Sequence, residues 1–114
     1  MEVYEVHFLQ EALDDLEEII LFIAQNNREA ALRIHDEFIH RANDLSVFPK
    51  RGRLVPDTKM KNSGYRILPI YPYLAFYRII DCNVYIYRVI HGATNYPMLY
   101  EKMIQSTNEA DQLE

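Results

Sequence analysis

Apolar positions recur along this chain at two spacings, and the spacing changes where the elements change. From about residue 11 it is helical. Ala12, Leu13, Leu16, Ile19, Ile20 and Ile23 fall on one stripe, with Asp14, Asp15, Glu17 and Glu18 turned outward. Acidic side chains in the first turns also suit the helix dipole. Asn26-Asn27 interrupts the pattern and can cap a second helix. That helix, over about 29–47, carries the stripe Ala31, Ile34, Phe38, Ala42, Leu45 and Phe48, and Pro49 stops it. So short a link makes the pair an antiparallel hairpin. On either side the period drops to two. Residues 3–8 (VYEVHF) alternate and read as a strand, whose backbone groups need a partner in the later sheet. Residues 65–92 (YRILPIYPYLAFYRIIDCNVYIYRVIHG) read as three strands divided by Tyr71-Pro72 and Asp81-Cys82-Asn83. Connections this short close antiparallel hairpins and leave no room for a crossover helix.

The pattern therefore predicts an α+β domain: an N-terminal strand, an antiparallel helix hairpin packed on an antiparallel sheet of about four strands, and a short C-terminal helix at 98–104. One domain is expected over 1–104, followed by a polar tail, 105–114. Between the hairpin and the sheet, residues 50–64 form a loop of about 15 residues with five basic side chains, Lys50, Arg51, Arg53, Lys59 and Lys61. Loops this long in compact domains are often functional, and this one could grip phosphates or serve as a solvated connector. The strands add Arg66, Arg78 and Arg88. Arg78 shares parity with Leu74, Phe76 and Ile80, and Arg88 with Val84, Ile86 and Ile90, so each arginine shares a sheet face with apolar neighbours. Alternation does not say which face the helices cover. On a covered face an arginine needs a carboxylate or carbonyl partner. On an open face, Arg and Tyr together suit nucleic acid or peptide.

Charge sharpens this picture. The net -5 hides a split: residues 1–44 hold 11 acidic and 3 basic side chains (-8), residues 45–100 hold 8 basic and 2 acidic (+6), and the last 14 residues carry -3. Either the basic sheet half meets an anionic partner or the two halves neutralise each other. No apolar run approaches the roughly 18 residues needed to span a bilayer, and residues 1–10 do not resemble an export signal. The one cysteine, Cys82, reads as a turn residue with no internal disulfide partner, so a reducing cytoplasm is the expected location. His7 reads as a hydrogen-bonded strand residue, and His35 and His40, five apart, do not share a helix face. Gly-rich phosphate loops, metal-ligand pairs and nucleophile elbows are absent, so no cofactor or metal is expected. What remains is an Arg/Lys/Tyr/His constellation. It could stabilise phosphate charge while RNA is cleaved through its own 2′-hydroxyl, or it could only bind.

Several local motifs, in this order, resemble the RelE/ParE superfamily of toxins from bacterial type II toxin–antitoxin modules. They are Leu-Glu-Glu-Ile at 16–19, Phe-Pro-Lys-Arg-Gly-Arg at 48–53, Tyr-Arg-Ile-Leu at 65–68, Tyr-Leu-Ala-Phe-Tyr-Arg at 73–78 and Tyr-Arg-Val-Ile-His-Gly at 87–92. The resemblance implies a small toxin held inactive by a cognate antitoxin, in a hetero-oligomer with it or as a dimer. RelE-like members are ribosome-dependent mRNA endonucleases, and ParE-like members inhibit DNA gyrase. Nuclease members carry basic side chains where this chain has Ile70 and Thr94, and the His-Gly pair is followed here by Ala93-Thr94-Asn95 rather than by arginine and aspartate. The 65–78 run is closer to the ParE-like branch. The expected target-binding charges are Lys50, Arg51, Arg53, Arg66, Arg78 and Arg88. His91 and Tyr100 are the candidate acid or base only on the nuclease reading.

Overall fold

The computed structural model of the chain describes residues 3–56 and 58–92. Strand β1 (Glu5–Phe8) leads into helix α1 (Gln10–Ala24), which a short turn joins to α2 (Arg28–Asp44). Then come β2 (Arg53–Leu54), a one-turn helix α3 (Thr58–Asn62), and the strands β3 (Arg66–Ile70), β4 (Tyr73–Ile80) and β5 (Asn83–His91). Asn27 caps α2 as its position suggested, its Oδ1 accepting from the Ala30 N–H at 3.0 Å.

The strands form one sheet in the order β1-β5-β4-β3-β2. The α+β class, the helix hairpin and the three hairpin-linked strands are as expected. The sheet differs from the expected all-antiparallel one in two respects. It has five strands, and β1 joins in parallel beside β5, with His7 opposite Tyr85. Local pattern carries no information on that pairing, because the partner lies at the far end of the chain. The fifth strand hides inside the basic loop. Arg53 and Leu54 pair with Ile67 and Arg66, two residues without any alternation to betray them. A further five residues of that loop fold as α3, which turns Met60 fully inward. The helix expected at 98–104 and the tail lie outside the described residues.

Both faces of the sheet are covered. The hairpin packs Leu16, Phe38 and Leu45 onto Leu68, Ala75, Tyr77, Ile86 and Val89. On the other face Val55 and Met60 cover Tyr65, Ile67, Phe76 and Tyr87. Strict alternation holds for Arg78, which lies with Phe76 and Ile80 on the face away from the hairpin. It fails in β5. The pairing slips by one between Phe76 and Tyr77, so that Ile86 and Val89, three apart, both reach the hairpin side. Three further expectations change. Leu13 and Phe48, placed on the buried stripes, are exposed. Asp15, placed outward with its acidic neighbours, faces the sheet.

Candidate functional site

Pro49 ends the hairpin and directs the chain into Lys50-Arg51-Gly52-Arg53. Tyr77 holds this turn from beneath. Its hydroxyl donates to the Pro49 carbonyl at 2.7 Å and accepts from the Gly52 N–H at 2.9 Å. Arg66, opposite Tyr77 on β3, donates from Nη1 to the Gly52 carbonyl at 2.7 Å. Burial pushes the Tyr77 phenol up from the ordinary tyrosine value, against the opposing pull of the Gly52 bond and the Arg66 charge, so it stays protonated and able to donate. Any side chain at Gly52 would force its neighbours to shift. A Cβ there would sit 2.5 Å from the Ile67 carbonyl oxygen and 2.7 Å from the Tyr77 hydroxyl.

The clamp leaves Lys50, Arg51 and Arg53 exposed on its outer side. Arg51 reaches Asp44 at 3.2 Å, a surface pair worth less than about 1 kcal/mol. Beyond β2, α3 projects Lys59 and Lys61 outward while Met60 is buried between them. Gly64, at φ 84, then turns the chain into β3. Lys50, Arg53, Lys59 and Lys61 form no ion pair among the described residues.

The other arginines are occupied. Arg78 lies on the opposite face, its guanidinium 5.6 Å from the centroid of the Tyr65 ring, a cation–π contact. Arg88 is clasped by Asp15 of α1 through bonds of 2.7 and 3.0 Å, and the same carboxylate accepts the Val89 N–H at 2.9 Å. The Asp15 hydrogen bond raises the Arg88 pKa further and outweighs the opposing effect of burial, so the guanidinium stays charged. His91 is exposed at the end of β5, edge-on to Tyr73 with ring centroids 5.7 Å apart. It borders a 690 Å³ groove shared with Glu18, Phe22, Tyr73 and the Asp15–Arg88 pair. Tyr100 lies outside the described residues.

The structure thus gathers Lys50, Arg51 and Arg53 on one surface with Arg66 beneath them, and sets Arg78 and Arg88 elsewhere. His91 is paired with Tyr73, four residues along β4 from the Tyr77 that opposes Arg66. That is about 13 Å of strand, so Arg66 and His91 do not share a site. Sequence reasoning missed Tyr77, Gly52 and Asp15. Asp15 had a signal: it lies three residues after Ala12 and four before Ile19, on the edge of the buried stripe.

The family model described as the ParE toxin of the type II toxin–antitoxin system parDE matches residues 6–96. The chain belongs to this toxin family. The superfamily resemblance visible in the residues is borne out, and on its ParE side. Among solved structures, the chromosomal ParDE toxin–antitoxin system of P. aeruginosa is similar with a TM-score of 0.65 at 19% identity, over 78% of this chain and 96% of that one. The RelBE2 toxin–antitoxin complex of Mycobacterium tuberculosis is similar with a TM-score of 0.54 at 25% identity, over 78% of this chain and 98% of that one. No curated protein matches the chain closely enough to count as a relative. Among the described residues, no helix is long and apolar enough to cross a membrane.

Proposed function

We propose that this ParE-family toxin arrests growth by binding a macromolecular target, with DNA gyrase favoured, and that a cognate antitoxin holds it inactive in the cytoplasm. The observation that carries this reading is the Pro49–Arg53 turn. It is fastened by three hydrogen bonds to a buried tyrosine and an arginine, and it presents its charges outward. A charged projection on a fastened backbone is suited to docking, because little backbone freedom is lost on binding. Lys50, Arg51 and Arg53 make the contact, Arg66 supports them from below, and Arg78 and Arg88 contribute through the fold they hold. Arg88, which borders the groove with His91, is already held by Asp15, and Arg66 lies about 13 Å along the sheet, so among the described residues no free phosphate-stabilising charge stands beside the candidate base, which disfavours bond-breaking chemistry. The antitoxin partner is supported by the two similar structures, each described as a toxin–antitoxin system or complex.

Pulse-labelling of DNA and protein synthesis after inducing the chain alone in bacteria tests this. An early fall in DNA synthesis with protein synthesis spared is expected. An early fall in protein synthesis instead replaces the reading with mRNA cleavage, with His91 and Tyr100 the first residues to substitute. Harmless expression replaces it with a chain that acts only as antitoxin partner and co-repressor.

A further inference from the structure

We propose that the flank formed by Lys50, Arg53, Lys59 and Lys61 binds the phosphodiester backbone of a nucleic acid. The inference rests on the reading that this flank faces the toxin's target, and it names the chemistry of the surface met there.

Three observations carry it. First, these four cations are exposed and have no carboxylate among the described residues, in a protein whose first 44 residues hold 11 acidic side chains. Had the basic residues served only to neutralise the hairpin, they would pair with it. Arg51 does so through Asp44, and Arg88 through Asp15. Second, the chain path sets the four along one edge of the sheet. Leu54 pairs with Arg66, and the Val55 N–H donates to the Tyr65 carbonyl at 3.0 Å, so the intervening segment is closed at its base. The chain therefore wraps the β2–β3 edge, from the turn that Tyr77 holds on the hairpin side to α3, whose Met60 packs on the other face. Third, the charges are spread over turn, strand and helix rather than converging on one point. That distribution fits a regularly charged polymer better than a single anion.

Among anionic polymers, nucleic acid fits better than an acidic peptide. The edge strand β2 is only two residues long, too short to template an added peptide strand. Three lysines and an arginine, offering point charges and one planar fork, are the donors typical of backbone contacts, which position a protein without reading bases. The clamp of Tyr77 on Gly52 holds the Lys50–Arg53 end of this surface in place before any ligand arrives.

The test uses the full chain made by cell-free synthesis, so that growth inhibition plays no part and the target reading can fail separately. Fluorescence anisotropy measures its affinity for labelled duplex DNA and for labelled single-stranded RNA across a salt series. With four phosphates engaged, log Kd against log salt for the duplex has a slope of about 3.6, and K50Q/R53Q or K59Q/K61Q each lowers it by about 1.8. The control R28Q/R33Q removes two exposed arginines from α2 and leaves the slope unchanged. All six side chains are exposed, so the variants keep the wild-type circular dichroism spectrum. Tighter binding by one nucleic acid than the other names the source of the phosphates. The proposal is overturned by salt-insensitive or absent binding to both, by an equal loss in the control, or by displacement of the DNA with polyglutamate at matched charge.

Discussion

Substituting Tyr77→Phe removes one oxygen and keeps the ring that packs between the hairpin and the sheet. Two backbone groups lose their partner: the buried Gly52 N–H at 2.9 Å and the partly buried Pro49 carbonyl at 2.7 Å. A buried polar group left unsatisfied costs about 1–3 kcal/mol. Taking the middle of that range for the N–H and its lower end for the carbonyl gives about 3 kcal/mol. Domains of this size are stable by about 5–15 kcal/mol in total, so the loss lowers Tm by about 10 °C. Urea unfolding followed by circular dichroism measures it, with an unchanged m-value showing that the two states are otherwise alike. The pH dependence is a second check. Burial raises the folded phenol above the ordinary tyrosine value of 10.0. Above that pH the unfolded chain loses its proton while the folded chain keeps it, so the unfolded state binds fewer protons and wild-type stability falls. The advantage of wild type over Tyr77→Phe is therefore constant below about pH 10 and shrinks above it. A loss under about 0.5 kcal/mol, or an advantage that grows above pH 10, would refute the view of Tyr77 as the clamp on the basic turn.

Gly52→Ala forces a methyl group against the Ile67 carbonyl, which cannot swing aside as a side-chain tip can. It costs about 3 kcal/mol in the same urea assay, at least as much as losing the Tyr77 hydroxyl. Asp15→Ala strands Arg88 beneath α1. The Asp15 and Arg88 side chains are 16% and 20% exposed, so the expected loss is about 2–3 kcal/mol, below the full figure for a buried pair. Arg88→Met with Asp15→Leu relieves the stranded guanidinium but leaves the Val89 N–H without its acceptor, so it stays about 1–3 kcal/mol below wild type, and a cycle of Asp15→Leu and Arg88→Met gives a coupling near 2 kcal/mol. Leu13→Ala changes stability by less than about 0.5 kcal/mol, whereas Leu16→Ala, three residues on, costs about 2–4 kcal/mol by thermal or urea unfolding.

Elements with a strong period were readable from the residues alone. The hairpin stripe through Leu16, Phe38, Ala42 and Leu45 is the stripe that is buried, because a helix face must find an apolar neighbour whatever the rest of the chain does. Its margins were less readable. Leu13 and Asp15 both lie beside that stripe, and their fates are decided by the sheet below, where Arg88 draws the aspartate in and leaves the leucine to solvent. The β5 slip is invisible in a run of alternating Val, Tyr and Ile, since either face accepts those residues. The candidate site was legible as charge but not as geometry. Six cations stood out by number, yet which were free depended on partners up to 73 residues away. Tyr77 read as one tyrosine among nine, although its hydroxyl organises the turn that the charges occupy.

The place of β5 in the sheet also sets a timetable for the newborn chain. Its neighbours are β1, made first, and β4, made just before it. Until residues 83–91 exist, β1 has no strand to join and the hairpin lacks the Val84, Ile86 and Val89 surface it packs on. At about 5–20 residues per second, the roughly 75 residues between β1 and β5 take roughly 4–15 s to synthesise. For the later half of that interval, once α2 is complete, the apolar stripes of α1 and α2 lack the sheet that covers them. The fold thus closes only when β5 is made, and those seconds are a window in which a protein that recognises the stripes can meet them before the sheet covers them.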